Sequence, residues 1–394
     1  MDINTILQPN IQEFIVEKTG SDISKLALLK NPFPEVDYKI LLNQVEARTK
    51  SKDKLPTWFG EKDIIFPSKI SIEQTSSEAA ALYKSGLLSG DSLIDLTGGY
   101  GVDDYYFSKK INRVIHCEIN EELSEIIKHN FQKLNCKNID CYQGDSSSIL
   151  HELNQYFDWI YIDPSRRNDA KGKVFMLKDC FPNVPELLDK YFQFTTNILI
   201  KTAPILDISA GLSELKNVKE IHIVAIDNEV KELLWLLEKS YANSIKVKAV
   251  NIQKTKTDNS LFTLNSESEA IYSIPQKYIY EPNSAILKSG EFDVICDLYN
   301  VSKLHKHSHL YTSNNLVEFP GRIFEMNKVI DYSKSSMKEF LENNKANITT
   351  RNFPETVENL RKKWKIKDGG NLYCFFTTNL NNDKIVLLCT KINE

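Results

Sequence analysis

Seven short apolar segments follow one another between residues 92 and 252, separated by turn residues or by stretches with helical spacing. They are SLIDLT (92–97), RVIHCEI (113–119), IDCYQGD (139–145), WIYIDP (159–164), NILIKTA (197–203), IHIVAI (221–226) and KVKAVNI (246–252). Apolar runs of this length that alternate with helices are typical of strands in a mostly parallel sheet. The pattern predicts a doubly wound α/β fold with seven strands, and residues 121–134 form its clearest predicted helix.

The regions on either side of this alternation have other patterns. Residues 1–75 carry apolar side chains at helical spacing between breakers such as Gly20 and Pro32, so we expect an N-terminal helical region. A stretch rich in Ser, Thr, Asn and Lys at 254–277 indicates a domain edge or an irregular connection. Beyond it, helix and strand patterns mix, which predicts small α+β domains. The expected helices are 284–304, 334–343 and 355–363, and the expected strands are 309–313, 321–332, 346–350 and a closing hairpin after residue 370.

Composition excludes few functions. The chain has 394 residues, 41% of them hydrophobic, so more than one packed unit is expected. No signal-like segment opens it and no apolar run is long enough to span a bilayer, which predicts a soluble cytoplasmic protein. The seven cysteines form no C-x-x-C pair and favour a reducing compartment over a zinc site. Because the net charge is −4, a polyanion would have to bind a local basic patch.

Four acidic residues follow four successive predicted strands. Asp95, Glu118, Asp145 and Asp163 each lie at or just after a carboxyl end. In a parallel sheet these ends meet at one edge, where open α/β sheets bind their ligands. A carboxylate after the second strand can accept hydrogen bonds from both hydroxyls of a ribose. The pattern therefore predicts a ligand site at this edge, with Glu118 on a ribose.

The first of these acids opens a glycine-containing turn, DLTGGYGVD, at residues 95–103. Glycines between a strand and a helix permit a tight turn and the close approach of a ligand. A plain strand–helix turn is the alternative for such a loop taken alone. The four acidic residues make a cofactor loop the preferred interpretation.

This order and spacing of motifs resembles the class I S-adenosylmethionine-dependent methyltransferases, and the resemblance implies S-adenosyl-L-methionine as the cofactor. A nicotinamide-dependent dehydrogenase fits less well, because the loop reads G-G-Y-G and lacks G-x-G-x-x-G. The family implies that Asp95 and the loop glycines hold the methionine part, Glu118 the ribose and Asp145 the adenine amine. The expected cofactor-binding residues are Asp95, Thr97, Gly98, Gly99, Gly101, Asp103, Glu118, Ile119, Asp145 and Ser146.

Longer strings make the resemblance more specific: TSSEAAALYKSG, DLTGGYGVD, DPSRR, YIYEPNSAILKSG, KLHKHSHLYTS and NITTRNFPETVENLRKKWKIKDGG. They are similar to a bacterial group whose catalytic domain precedes a ferredoxin-like segment and a C-terminal THUMP-like domain. The implied fold is a mostly parallel, seven-stranded Rossmann-like methyltransferase sheet. The implied regions are a helical part at 1–75, the methyltransferase domain at 76–265, the ferredoxin-like segment at 275–320 and the THUMP-like domain at 321–394.

The acceptor is expected at the fourth strand. Methyl transfer is an in-line displacement, so orienting the acceptor supplies much of the catalysis. Relatives with Asp-Pro-Pro-aromatic at this point hold an exocyclic amine, whereas this chain reads DPSRR, which argues against methylation of a base amine. The expected catalytic residues are Asp163, Pro164, Ser165 and Arg166. Arg166 and Arg167 can fork onto phosphate or carboxylate, or can form internal ion pairs with Asp163, Asp169 or Glu118.

Two further segments carry chemistry-bearing residues. The run at 227–232, DNEVKE, either lines the acceptor pocket or forms a capped helix with a solvated charged face, and the helix is the preferred interpretation. His305, His307 and His309 would share one face of a strand. No Cys or acidic ligand is interleaved with them, so we expect structural or surface histidines and no metal site.

Two basic groups could contact a polyanion. One surrounds Phe353 and Trp364, and the other lies near Trp58 in the N-terminal region. Both suit phosphate contacts with base stacking, or are solvated faces. Because true THUMP domains bind RNA, the resemblance implies an RNA substrate, either tRNA or rRNA. A small-molecule or protein methyltransferase and a non-catalytic cofactor- or RNA-binding module are the alternatives. The basic residues are Arg351, Arg361, Lys362, Lys363, Lys365 and Lys367, and Arg48, Lys50, Lys52 and Lys54.

Overall fold

The computed structural model describes residues 2–67, 69–166 and 176–392, with the side chains in these ranges other than those of residues 69–71 and 166. The chain forms two compact units. One is Met1–Lys219 with Leu234–Ala242, and the other is Glu220–Leu233 with Asn243–Glu394. Across the described ranges, none of the helices combines the length and the apolar character needed to cross a membrane.

The N-terminal region is helical, as predicted. Asp37 and Ser77 each accept a hydrogen bond from a backbone N–H in the first turn of the helix that follows, which explains where these two helices begin. The helices are α1 (Ile3–Ile6), α2 (Pro9–Lys18), α3 (Ile23–Leu26), α4 (Tyr38–Lys54), α5 (Pro56–Gly60), α6 (Lys69–Gln74) and α7 (Glu78–Ser85).

These helices share a hydrophobic core with the helix α9 (Glu121–Lys133). Trp58 and Ile65 are fully buried in the same cluster as Ile127 and Phe131 of α9. The side chain of Asn130 also accepts from Ile65 N at 3.0 Å and donates to Ile65 O at 2.8 Å. The N-terminal region is therefore packed directly against the helix that follows the second strand of the sheet.

The predicted sheet is present and has nine strands. Its order is β11-β10-β8-β9-β7-β4-β1-β2-β3. The pairs β1–β2, β1–β4, β2–β3, β4–β7 and β8–β10 are parallel, and β10–β11 is antiparallel. The strands are β1 (Ser92–Asp95), β2 (Arg113–Glu118), β3 (Ile139–Gln143), β4 (Phe157–Ile162), β7 (Thr195–Thr202), β8 (Val218–Ile226), β9 (Glu229–Glu238), β10 (Lys246–Ile252) and β11 (Thr257–Thr263).

Short elements connect these strands. The helices are α8 (Val102–Phe107), α9 as given above, α10 (Ser146–Leu153), α11 (Val184–Tyr191) and α12 (Ile208–Glu214). Two short strands, β5 (Ser165–Arg166) and β6 (Cys180–Phe181), pair with each other outside the large sheet.

One predicted helix is wrong. The segment 227–232 enters strand β9 directly, and the turn before it consists of Asp227 and Asn228, both with positive φ (47° and 63°). Two left-handed residues between strands form the turn that matches the twist of a β-hairpin. The apolar residues after Lys231 are buried in the sheet, so β9 is an additional strand beside β8.

The C-terminal part contains a second sheet of seven strands in the order β13-β14-β12-β15-β18-β17-β16. The single helix expected at 284–304 is wrong, because Gly290 adopts a left-handed conformation (φ 78°) and separates two short helices. The elements are β12 (Tyr278–Pro282), α13 (Ser284–Ser289), α14 (Val294–Tyr299), β13 (Ser302–Lys303), β14 (Tyr311–Ser313), β15 (Gly321–Asp331), α15 (Lys334–Phe340), β16 (Asn347–Arg351), α16 (Val357–Trp364), β17 (Leu372–Thr378) and β18 (Lys384–Lys391).

Candidate active site

The four acidic residues lie at one edge of the large sheet, as their positions predicted. Asp95 is opposite His116 of β2 and Tyr161 of β4, and Glu118 is opposite Gln143 of β3. The strands are parallel, so their carboxyl ends come to the same level. The loops that follow these ends carry the residues of the site.

The side chain of Asp95 accepts two hydrogen bonds at the start of the glycine loop. Its Oδ1 accepts from Thr97 N at 2.7 Å and from Thr97 Oγ1 at 3.0 Å. Gly98 N donates to Cys117 O at 2.9 Å, which ties the loop to β2. Gly101 has φ 70°, and a Cβ there would come within 2.5 Å of the Phe131 ring. Both the backbone conformation and the packing therefore require glycine at position 101.

Glu118 closes the other side of this loop. Its Oε2 accepts from Gly99 N at 3.0 Å and its Oε1 accepts from Asn120 N at 2.7 Å. The carboxylate is half-buried, and the next side chain, Ile119, is 58% exposed. Each carboxylate oxygen has a second lone pair, so Glu118 can still accept from a ligand hydroxyl.

Asp145 begins the helix α10. Its Oδ2 accepts from Ser148 N at 2.9 Å and Ser148 Oγ at 3.0 Å, so it caps the helix. Ser146 is the first residue of the helix, and the Asp145 side chain is exposed at the sheet edge. The structure thus places Asp145 beside β3 with one oxygen already engaged.

Asp103 lies deeper than the other predicted cofactor residues. Its Oδ2 accepts from Ser76 Oγ at 2.9 Å and Tyr161 OH at 2.8 Å, and its Oδ1 lies 3.1 Å from Nζ of the fully buried Lys84. Burial would raise the pKa of Asp103, but the charges of Lys84 and Lys201 and the two hydroxyls outweigh burial and hold the pKa below its usual value. Asp103 therefore connects α7 to the start of α8 through an ionised carboxylate.

A second group of titratable residues lies beneath the glycine loop. Asp104 Oδ2 is 2.6 Å from His116 Nδ1, and both side chains are fully buried. Burial and the nearby Asp104 raise the pKa of Asp95, while burial and Asp103 raise that of Asp104. Burial also lowers the pKa of His116. These directions favour neutral side chains, which lowers the cost of burying the group under the loop.

The predicted acceptor side contains Asp163. Its backbone N–H donates to Thr97 Oγ1 at 2.7 Å, and its Oδ2 accepts from Lys201 Nζ at 2.5 Å. Lys201 is at the end of β7, where Ile200 pairs with Ile162 of β4. The structure therefore places a lysine and an aspartate side by side at the carboxyl ends of two neighbouring strands.

The rest of the DPSRR motif continues away from this pair. Pro164 is buried, Ser165 is exposed, and β5 pairs with β6 through Ser165–Phe181 and Arg166–Cys180. The Arg166 side chain, Arg167 and Asp169 lie outside the described residues, so their predicted roles stay predictions. Lys201 forms an ion pair with Asp163, which was one of three partners that the sequence suggested for the arginines.

Sequence reasoning missed four residues of this site: Lys84, Lys201, Ser76 and Tyr161. A charged residue within an apolar strand run was a usable signal for Lys201, because NILIKTA ends at the same sheet edge as the fourth strand. The other three could not be found from local patterns, because they are distant from Asp103 along the chain. Asp103 lies 27 residues from Ser76 and 58 from Tyr161.

The C-terminal basic cluster differs from the expectation of exposed cations around an exposed tryptophan. Trp364 is 8% exposed and belongs to the hydrophobic core, so base stacking on it is wrong. Arg361 pairs with Asp368 at 2.5 Å, Lys363 with Glu355 at 3.1 Å and Arg351 with Glu281 at 2.8 Å. These cations are engaged within the protein.

Arg48 and Lys50 of the N-terminal basic group also have partners within the protein. In the N-terminal group, Arg48 donates to Phe59 O at 2.8 Å and Lys50 pairs with Glu73, while Trp58 is fully buried.

The three histidines do not share a strand face. His305 contacts Asn382 at 3.2 Å, and His309 stacks on Phe292 with 3.6 Å between ring centroids. Burial and the nearby Lys303 lower the pKa of His309 to about 4, so this ring is neutral near pH 7.

The comparisons with known proteins cover both parts of the chain. Two family models match, one for a ferredoxin-like domain over residues 278–320 and one for a THUMP-like domain over residues 321–391. A crystal structure from Porphyromonas gingivalis W83, described as a "putative methyltransferase", is 31% identical, covers 100% of both chains and superposes with a TM-score of 0.88.

Two curated relatives match shorter stretches. An uncharacterized RNA methyltransferase of Clostridium acetobutylicum is 33% identical over 151 residues, which is 34% of this chain and 32% of the relative. A 23S rRNA (uracil(1939)-C(5))-methyltransferase of Pasteurella multocida is 31% identical over 87 residues, or 21% and 20% of the two chains. The chain thus spans about a third or less of the length of these curated relatives. Because the Porphyromonas gingivalis protein matches over both full lengths, the chain belongs to its family, the class I S-adenosylmethionine-dependent methyltransferases with a ferredoxin-like segment and a C-terminal THUMP-like domain.

Proposed function

We propose that this chain is a cytoplasmic methyltransferase that transfers a methyl group from S-adenosylmethionine to RNA, with the acceptor held beside Asp163. One observation carries the proposal: the glycine loop, Glu118, Asp145 and Asp163 follow neighbouring parallel strands and lie at one edge. Fold alone does not decide function, and the proposed function therefore depends on these side chains.

The side chains at this edge fit the cofactor. A Cβ on Gly99 would meet only Thr97 O, at 3.6 Å, so a ligand can approach the loop backbone closely. Glu118 offers a half-buried carboxylate to the ribose hydroxyls, and the exposed Ile119 offers an apolar surface to the adenine ring. Asp145 can accept from the adenine amine. The bound cofactor supplies an activated methyl group on a sulfonium centre.

Asp163 links the acceptor position to the cofactor loop. Its backbone donates to Thr97, and Thr97 in turn donates to Asp95 beneath the glycines. Because Thr97 is shared, the distance between the acceptor residue and the loop is fixed by two hydrogen bonds. Holding two reactants in a fixed geometry is the main contribution a protein makes to an in-line transfer.

A basic surface on the THUMP-like domain supports RNA as the substrate. Three exposed lysines, Lys345, Lys365 and Lys367, lie together because residues 345 and 367 form a parallel bridge and the intervening Ile366 is buried. We call them the C-terminal lysine patch. No acidic side chain in the described ranges forms an ion pair with any of the three. Such a patch can neutralise phosphates although the net charge is negative.

The named relatives point the same way. Two of the curated relatives are named as RNA methyltransferases, and the family model over residues 321–391 is that of a THUMP-like domain. Both observations support RNA over a small molecule or a protein.

Nucleoside analysis tests the proposal. RNA from a strain that lacks the gene is incubated with the wild-type protein and labelled S-adenosylmethionine, then digested and analysed by mass spectrometry. We expect one methylated nucleoside, restored in RNA by the wild type and absent with Asp163→Ala, whose cofactor binding persists. Label in protein or small molecules with none in RNA would contradict the RNA substrate. Collapse of cofactor binding in Asp163→Ala would give that residue a different role.

A further inference from the structure

The pairing of β4 with β7 places two opposite charges at the acceptor position. Ile162 and Ile200 are register partners, so the residues that follow them, Asp163 and Lys201, lie next to each other. Nζ of Lys201 lies 2.5 Å from Oδ2 of Asp163, which is hydrogen-bonding distance.

The two members of this pair differ in exposure. The Lys201 side chain is 11% exposed and the Asp163 side chain is 36% exposed. A mostly desolvated ammonium needs a partner, and Asp163 supplies it. Lys201 also acts electrostatically on the buried Asp103, so it is held among fixed groups. The carboxylate is therefore the more exposed member of the pair, with the ammonium group beside it.

This arrangement disfavours an amine acceptor. A neutral amine that attacks a methyl group gains positive charge on nitrogen before it loses its proton. The neighbouring ammonium of Lys201 repels that charge. Like charges in a water-poor site cost more than in bulk water.

With a hydroxyl acceptor the effect of the ammonium is reversed. As its oxygen attacks, the hydroxyl loses a proton and gains negative charge, which a nearby ammonium stabilises. The carboxylate of Asp163 can take the proton. In this step the O–H bond breaks, an O–CH₃ bond forms, the C–S bond breaks with its electron pair left on sulfur, and the proton goes to Asp163.

We infer that Lys201 and Asp163 act as a pair that selects a hydroxyl as the methyl acceptor, which in RNA is the ribose 2′-hydroxyl. This inference rests on the proposed function. It assigns Lys201 the role of stabilising the acceptor oxygen, and Asp163 that of receiving its proton.

The test compares Lys201→Met and Lys201→Arg with the wild type and with Lys216→Met. Lys216 is a suitable control because it forms a surface pair with Asp189 at the same distance, 2.5 Å. Calorimetry with S-adenosylhomocysteine reports cofactor binding, single-turnover assays on RNA report the rate, and alkaline hydrolysis of the product reports whether a 2′-oxygen is methylated.

We expect alkali-resistant linkages in the wild-type product. Lys201→Met should lower the single-turnover rate by about 100-fold or more, because charge stabilisation at a reacting atom is worth that much. Lys201→Arg, which keeps the charge, should lose less. S-adenosylhomocysteine affinity should stay within about threefold in every variant, roughly 0.6 kcal/mol.

A methyl group on a base nitrogen would overturn the inference and leave the proposed function intact. A wild-type rate in folded Lys201→Met would also overturn it. If the methionine variant does not fold, a base-methylated wild-type product still decides against it. Wild-type protein that binds no S-adenosylhomocysteine would instead overturn the proposed function.

Discussion

The imidazole of His116 lies directly against Gly98: a Cβ on this glycine would come within 2.2 Å of the ring carbon Cε1. The ring is buried, is held by Asp104 at 2.6 Å and packs edge-on against Phe131 with 5.7 Å between centroids. It has no room to move aside. The packing under the loop therefore requires glycine at position 98, independently of any ligand.

Gly98→Ala should consequently distort the cofactor loop. We expect a loss of roughly 1–3 kcal/mol in unfolding free energy, the usual cost of overpacking a core, and weaker cofactor binding. Adding His116→Ala should restore part of both losses, because it removes the clash. Urea denaturation and calorimetry of the two single variants and the double variant measure this coupling. Additive losses in the double variant would show that the clash is not the cause.

Glu118→Ala should weaken S-adenosylmethionine binding by roughly 1–3 kcal/mol, through loss of charge-assisted contacts to the ribose. The same change removes the acceptor for Gly99 N and Asn120 N, so the loop should also become less ordered. Glu125→Ala, an exposed glutamate on α9, is the matched control. Calorimetric titration measures both affinities, and equal affinities for the two variants would remove Glu118 from the cofactor site.

The Lys84–Asp103 pair should make stability depend on pH. The folded-state pKa of Asp103 lies below its usual value, so the pair stabilises the fold above about pH 4 and loses that contribution as the pH falls through the folded pKa. In Lys84→Met the buried carboxylate loses a partner, which costs about 3–5 kcal/mol near pH 7. Burial then raises the pKa of Asp103. The deficit in unfolding free energy should therefore shrink toward pH 5, as the carboxyl takes up a proton.

Urea denaturation at pH 8 and pH 5 measures this deficit. Lys110→Met, which replaces an exposed lysine in the turn after α8, controls for the lost charge. A deficit that is constant between the two pH values would show that Asp103 is not the group responsible.

The C-terminal lysine patch should carry much of the affinity for RNA. If its three lysines make three phosphate contacts, their joint replacement by alanine should lower the salt slope for single-stranded RNA by about two units. Replacement of the exposed Lys25, Lys30 and Lys39 removes the same charge from the N-terminal region and should change the slope little. Fluorescence titrations across several salt concentrations measure both. Equal slopes for the two triple variants would show that the patch is only a solvated face.

The sequence predicted the part of the fold that local patterns encode. The runs ending at Asp95, Glu118 and Asp163 are short, mainly apolar and bounded by turns, so both the strands and their shared edge could be anticipated. Strand β9 could not be anticipated, because the charged residues at its beginning, Glu229–Glu232, have the spacing of an exposed helix. The signal for the hairpin was the Asp227–Asn228 turn, whose two residues tolerate positive φ.

The side-chain partners in the site were less predictable, since they join residues that are distant in sequence. Lys201 contacts Asp163 only because β7 is next to β4, and no local sequence pattern predicts the order of strands in a sheet. The burial of Trp364, in contrast, had a local signal in the sequence. Its flanking lysines suggested an exposed stacking surface, but Leu360 four residues earlier is buried on the same helix face, which was the sign of a core position.

Calorimetric titration of the wild-type protein with S-adenosylmethionine tests the central claim most directly, because every assignment at this sheet edge depends on that cofactor. We predict one binding site per chain with an affinity that Glu118→Ala weakens by roughly 1–3 kcal/mol and Glu125→Ala leaves unchanged. A folded wild-type protein with no detectable binding at millimolar cofactor would contradict the account.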